Sequence, residues 1–269
     1  MTPYRFASAD ALLAQLEGFR VEWEPASERA DIVLDRPPLN VVAMAERDQL
    51  AAVFGALDRD PAVRVVVLRS AGKNFSSGGD IAGFLAASPE HVSHLADNVA
   101  APERCSKPVI AAVRGYCFGV GFELSLACDF RLASETAEFA LPEMRIGMIP
   151  GSGGSARLLQ MIGIARTKDM AMRARRVPAA AAKEWGFVTD AVPDGELDAA
   201  VGRLVDELRQ FSPLAQRAIK HVLNQGQHLP LRGAIELEGQ AYGRLRGSAD
   251  FQEGVASFVE KRKPKFRGE

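Results

Sequence analysis

Phe75-Ser76-Ser77-Gly78-Gly79-Asp80-Ile81, followed further along by Gly115-Tyr116-Cys117-Phe118-Gly119-Val120-Gly121-Phe122-Glu123-Leu124, decides how this chain is read. Each segment is a glycine-crowded turn after an apolar run. Glycine lets bare backbone N–H groups approach a ligand with no side chain in the way. Two such turns facing one another can grip a single oxygen. The candidate donors are the backbone amides of Gly79 and Val120. A carbonyl that gathers negative charge during a reaction is stabilised by such fixed donors, each worth about 3 to 4 kcal/mol in the best-measured acyl-transfer case.

The apolar runs flanking these turns give the fold class. Residues 63–68 (Val-Arg-Val-Val-Val-Leu) and 109–113 (Val-Ile-Ala-Ala-Val) are continuous enough for buried strands. Residues 19–23 and 30–34 alternate as strands, the second ending at Pro37-Pro38. Residues 45–57 have helical spacing, with Leu50, Val53, Phe54 and Leu57 on one face. Strand, glycine turn and helix recur, which predicts an α/β fold. Residues 82–101 show little period and are expected to form a loop bordering the pocket, with His91 and His94 as solvated loop histidines rather than metal ligands. After Asp194, residues 197–211, 213–224, 231–245 and 250–261 all read as helices that need a surface to cover.

Composition narrows the partners. At 269 residues and 47% hydrophobic, the chain can bury a full core. A formal charge of −1 shows no cationic excess for nucleic acid or an anionic membrane surface. No run of eighteen apolar residues is present, and the first twenty residues carry Asp10 and Glu17 without an apolar stretch, so a cytoplasmic location is expected. Cys105, Cys117 and Cys128 follow no metal-binding or paired spacing and read as small buried hydrophobes, with no metal site expected. Gly119-Val120-Gly121 begins like a dinucleotide fingerprint, but Leu124 stands where the third glycine belongs. No phosphate-binding GxxxxGK[ST] loop and no GxSxG elbow occur. Gly151-Ser152-Gly153-Gly154-Ser155 is a candidate helix opening able to take an anion.

Two acids accompany the turns. Glu123 falls where a helix should begin, and Glu143 follows Pro142 at the end of a strand. A glutamate opening a helix is ordinarily a dipole partner. Two carboxylates sharing an apolar pocket can do more, because burial and mutual repulsion push their pKa values apart and let them divide acid and base work.

These motifs, with Leu141-Pro142-Glu143-Met144-Arg145-Ile146-Gly147 and the tail segments Asp250-Phe251-Gln252-Glu253-Gly254 and Phe258-Val259-Glu260-Lys261-Arg262-Lys263-Pro264, resemble the crotonase (enoyl-CoA hydratase/isomerase) superfamily from about Val21 onward. The resemblance implies a ββα spiral catalytic core over residues 1–195. It also implies a C-terminal helical region, 196–269, that packs at a trimer interface and completes the coenzyme A site, giving a homotrimer or a homohexamer. It places Glu123 and Glu143 on the two positions used by the family's hydratases. The implied reaction is reversible syn addition of water to a trans-2-enoyl-CoA through a thioester enolate, with Glu143 exchanging a proton at C2 and Glu123 orienting water. Coenzyme A would enter as part of the substrate, with no permanently bound cofactor.

The resemblance also brings Tyr242 and Lys261 toward coenzyme A; Gly78, Asp80, Ile81 and Gly119 are expected substrate contacts, and Phe84, Phe118 and Phe139 are expected acyl-pocket walls whose rings limit chain length. Two departures stand out. Ala82 occupies a position where such hydratases often carry lysine, and Val120 stands in place of a usual glycine. Pro37-Pro38-Leu39-Asn40-Val41 is similar to hydratases acting on cyclic dienoyl-CoA esters. An isomerase, lyase or hydrolase on the same fold, or a noncatalytic scaffold, are the alternatives.

Overall fold

The computed structural model describes residues 1–7, 10–93 and 95–269; His94, and with it the reading of the His91 and His94 pair, lies outside the described residues. Among the described residues, ten strands form two sheets: β1 Thr2–Pro3, β2 Phe19–Glu24, β3 Arg29–Leu34, β4 Val65–Ser70, β5 Val109–Val113, β6 Tyr116–Phe118, β7 Phe130–Ser134, β8 Glu138–Ala140, β9 Val177–Pro178 and β10 Asp190–Val192. The larger sheet runs β1-β2-β3-β4-β5-β7-β10 and the smaller β6-β8-β9. β1, β2 and β3 pair antiparallel, whereas β3, β4, β5, β7 and β10 are parallel.

The helices are α1 Met44–Arg59, α2 Ile81–Ala86, α3 Pro89–Ser93, α4 Leu95–Val99, α5 Ala101–Arg104, α6 Val120–Leu126, α7 Gly154–Arg173, α8 Ala179–Trp185, α9 Leu197–Leu208, α10 Pro213–Gly226, α11 Leu231–Leu245 and α12 Ala249–Val259. The chain repeatedly lays one strand in the large sheet, a second in the small sheet, then a helix. β5, β6 and α6 form one such turn, and β7, β8 and α7 the next. β4 opens an earlier one, in which isolated bridges from Ser76 to Cys117 and from Gly79 to Val42 stand in place of the second strand before α2.

The unbroken apolar runs of β4 and β5 follow from burial on both faces. Val66, Leu68, Val109, Ala111 and Val113 point into the principal core, while Val65, Val67, Ile110 and Ala112 point into a second cluster. α9 covers that second cluster with Leu197, Ala200, Val201 and Val205, so the first C-terminal helix has the surface its sequence requires. α10 is anchored by Lys220, whose buried Nζ donates to Pro102 O (2.9 Å), Lys107 O (2.9 Å) and Asp129 Oδ2 (2.7 Å). Leu231, Tyr242, Phe258 and Val259 on α11 and α12 are left exposed.

Residues 82–101 depart from the expected loop: they fold into the short helices α2, α3 and α4 and the opening of α5. Gly83, Ser88 and Pro89 interrupt the apolar pattern of this stretch, so in sequence it reads as a loop. The three cysteines are buried and unpaired, as expected. Burial pushes the Cys105 and Cys128 thiols up to about 12. No described helix is long and apolar enough to cross a membrane.

Candidate active site

The two glycine turns do face one another. Ser76 N donates to Tyr116 O (2.8 Å) and Phe118 N to Ser76 O (2.9 Å), lacing the segments in parallel. From the other side, Val42 N donates to Gly78 O (2.9 Å) and Ser77 N to Leu39 O (2.8 Å), so the loop after the double proline supports the first turn. Gly119 lies between the turns with φ 51°, and a Cβ there would sit 3.0 Å from Glu143 Oε1 and 3.6 Å from Gly78 Cα. Only glycine combines that conformation with that approach. Neither the Gly79 nor the Val120 amide has an acceptor among the described residues. Val120 is the first residue of α6, where an N–H has no intrahelical partner.

α6 is buried from end to end. Its core side is held by Phe122, whose ring lies 5.3 Å from Phe139 and 5.5 Å from Phe187. Its C-terminal end is closed by buried Arg131, whose Nη1 donates to Ser125 O (2.9 Å) and Cys128 O (2.7 Å). A cation there complements the helix dipole and satisfies carbonyls that would otherwise be orphaned. The other end of α6 is thereby fixed under the two turns.

Glu123, in the first turn of α6, is 3% exposed. Its Oε1 accepts from Ser152 N (2.8 Å) and Gly154 N (3.0 Å), at the start of α7. The anion expected at Gly151-Ser155 is therefore the chain's own Glu123 carboxylate. Arg157 braces this loop, donating to Ser152 O (3.1 Å) and to Glu103. A Cβ at Gly154 would lie 3.0 Å from Glu123 Cγ and 3.0 Å from Leu141 Cδ2. Gly154→Ala is accordingly expected to displace Glu123 and lower kcat by about tenfold or more, checked by steady-state kinetics; an unchanged kcat would show that the carboxylate's placement is not critical.

Glu143 begins a single 3₁₀ turn, Glu143–Ile146, which Leu141 and Pro142 join to the end of β8. Its Oε2 is buried and has no hydrogen-bond partner. Burial, followed by the nearby Glu123 charge, pushes its carboxyl up to about 7 against the pull of its own backbone N–H. The site thus holds one carboxylate tied by two backbone donors and one carboxyl poised to titrate near neutrality, the pattern suited to proton exchange.

The remaining sequence candidates separate. Asp80 directly precedes α2 and Ile81 begins it, half exposed. Phe84 lies beside Gly79, its Cζ 2.8 Å from where a Gly79 Cβ would be. Phe118 is buried and stacks on Tyr116, with the Arg176 guanidinium over its ring. Phe139 is fully buried between Phe122 and Phe187, so it is a core residue and not the pocket wall expected from sequence. Tyr242 lines an apolar cleft with Phe251, Phe258 and Phe266, none of whose lining residues belongs to the glycine turns, and Lys261 is exposed beyond α12. Within the chain these two are not brought to the turns.

Sequence reading missed Arg47. This α1 residue is 2% exposed. Its guanidinium lies 5.0 Å from the Phe84 ring centroid, and Nη2 lies 2.8 Å from the point a Gly79 Cβ would occupy. The signal was present, because Arg47 sits three residues before Leu50 and seven before Phe54, on the apolar stripe of α1. Among the described residues no group of three or more His, Cys, Asp or Glu side chains could hold a metal ion.

The sequence profile of the enoyl-CoA hydratase/isomerase family matches residues 27–269, and the chain belongs to that family. It is 37% identical over 250 residues to a protein named probable enoyl-CoA hydratase from Rhizobium meliloti (strain 1021), covering 88% of this chain and 93% of the relative. It is 34% identical over 246 residues to carnitinyl-CoA dehydratase of Proteus mirabilis (strain HI4320), covering 88% and 94%. Among solved structures, an enoyl-CoA hydratase from Bacillus anthracis superposes with a TM-score of 0.87 at 33% identity, over 94% of this chain and all of that one. The fold is that of the crotonase superfamily, and the chain is a CoA-thioester enzyme of that fold.

Proposed function

We propose that this protein is an enoyl-CoA hydratase that adds water reversibly and syn across a trans-2-enoyl-CoA to give a 3-hydroxyacyl-CoA. The observation that carries the reading is the pairing of Glu123, fixed by Ser152 N and Gly154 N, with Glu143, whose buried Oε2 is unpartnered and whose carboxyl is raised to about 7. The acceptor-free amides of Gly79 and Val120 would receive the thioester oxygen and draw charge from the conjugated alkene. Water held by Glu123 then attacks C3, surrendering a proton to that carboxylate as the C3–O bond forms. Glu143 delivers its proton to C2 as the enolate collapses. The C2=C3 π bond is consumed, and one proton passes from each partner, so atoms and charge balance.

Names of two relatives, one a hydratase and one a dehydratase, favour water addition or removal over isomerisation or thioester cleavage. The exposed Tyr242, Phe258 and Val259 fit a self-association surface, supporting a homotrimer or homohexamer in which a neighbouring protomer brings Tyr242 or Lys261 to the nucleotide end of coenzyme A.

Loss of the conjugated thioester absorbance of crotonyl-CoA and of longer and cyclic enoyl-CoA esters is the direct test. Turnover of at least one ester is expected, with the 3-hydroxyacyl-CoA as product. No turnover across the panel, alongside measured CoA-ester binding, would eliminate the hydratase reading in favour of another reaction on this fold.

A further inference from the structure

Arg47 has no place in the reaction just described, yet it is a buried cation that touches the candidate site's first turn. Its guanidinium lies against Gly79 and Phe84. It is 2% exposed, and Nε is buried with no hydrogen-bond partner. Among the described residues it forms neither an ion pair nor a side-chain hydrogen bond. A buried guanidinium without a partner is costly, because desolvation is not offset.

Three carboxylates lie close enough to exert a field on Arg47, and each is engaged elsewhere. Glu46 Oε2 accepts from Ala43 N (3.2 Å) and pairs with Arg36 (3.3 Å). Asp48 accepts from Asn98 Nδ2. Glu123 is held by Ser152 and Gly154. Burial lowers the Arg47 pKa and the three carboxylates pull it back up, but none makes direct contact. The guanidinium therefore has its donors free beside the place where, on the proposed function, the acyl group emerges from the thioester.

We propose that Arg47 is a specificity-determining residue that selects acyl-CoA thioesters carrying a carboxylate on the acyl group. The guanidinium fork matches a carboxylate with two parallel hydrogen bonds, and Phe84 holds its plane from one face. An alkyl chain would leave the cation unpaired on binding, and a cationic acyl group would be repelled.

Equilibrium binding of saturated esters tests this without turnover. Succinyl-CoA and glutaryl-CoA are compared with butyryl-CoA, pentanoyl-CoA and 4-trimethylammoniobutyryl-CoA by calorimetry. At least one carboxylate ester is expected to bind about tenfold or more tightly than its neutral counterpart, the scale of a charge-assisted pair out of water. The trimethylammonium ester should bind weakest. Arg47→Met should bring the ratio near one, and Arg47→Lys should keep part of it by retaining the charge. A smaller wild-type ratio, a preference for the cationic ester, or a ratio that survives Arg47→Met would overturn the assignment. The wild-type comparison stands even if a variant does not fold. Because these esters cannot be hydrated, a carboxylate preference without any enoyl-CoA hydration would refute the proposed reaction alone, whereas hydration with no preference would refute only this role.

Discussion

Glu143→Gln is expected to lower kcat for enoyl-CoA hydration by about 10² to 10⁴, the usual range for one positioned proton-transfer group, while CoA-ester binding survives. The carboxyl it removes is buried, unpartnered at Oε2 and raised to about 7, so the wild type should show the same group in its pH profile. Hydration takes up and releases no net proton, and the forward and reverse kcat/KM values must keep a constant ratio at every pH. Both therefore need the pair of glutamates to share one proton, and both should fall together as pH rises through about 7. Glu143→Gln should lose that limb. Opposite limbs for the two directions, or an intact limb in the variant, would assign the titration to another group.

The same burial has a cost in stability. The Glu143 carboxyl is raised in the fold from an ordinary value of 4.5 to about 7, so the folded chain holds a proton that the unfolded chain has released between those values. Stability from this group is present below 4.5 and declines as pH rises to about 7. Relative to wild type, Glu143→Gln should gain about 1 to 2 kcal/mol at pH 8, after discounting for partial solvent contact, and little at pH 4. Denaturant unfolding at the two pH values reads this directly.

Val120→Pro should be the second severe loss. Proline is well accommodated at the first position of a helix, because its ring presets φ and the missing N–H had no intrahelical partner. Val120 occupies that position in α6. On the proposed chemistry, its amide is one of two donors to the thioester oxygen, and removing one such donor costs about 10² to 10³ in kcat. The variant should unfold cooperatively near the wild-type midpoint while losing turnover. Activity within tenfold of wild type would mean that the Val120 amide does not meet the oxyanion.

Much of this architecture was legible because its signals are local. Residues 109–113 read as a buried strand and form β5, and the glycines at 78, 79, 119 and 121 marked where two backbones approach. Glu123 and Glu143 stood out by position relative to those turns. What escaped depends on partners distant in sequence. The depth of Phe139 is set by Phe122 and Phe187, and the capture of Glu123 by Ser152 and Gly154 joins residues some thirty apart. Arg47 was passed over because an arginine is ordinarily solvated, although its place on the α1 stripe was visible. Residues 82–101 hid their helical character behind Gly83, Ser88 and Pro89, which read in sequence as loop punctuation.

The Gly79 and Val120 groups that would grip the thioester oxygen belong to the backbone, whereas Glu123 and Glu143 are side chains. A point substitution readily rewrites a side chain but leaves a main-chain amide in place unless it introduces proline or bends the turn. On the proposed chemistry, the half of the machinery that polarises any acyl thioester is thus insulated from mutational drift, and Val can stand at 120 at no chemical expense. The half that chooses what happens next is open to exchange one codon at a time. Such a scaffold can change its reaction while the means of activating the carbonyl is inherited intact.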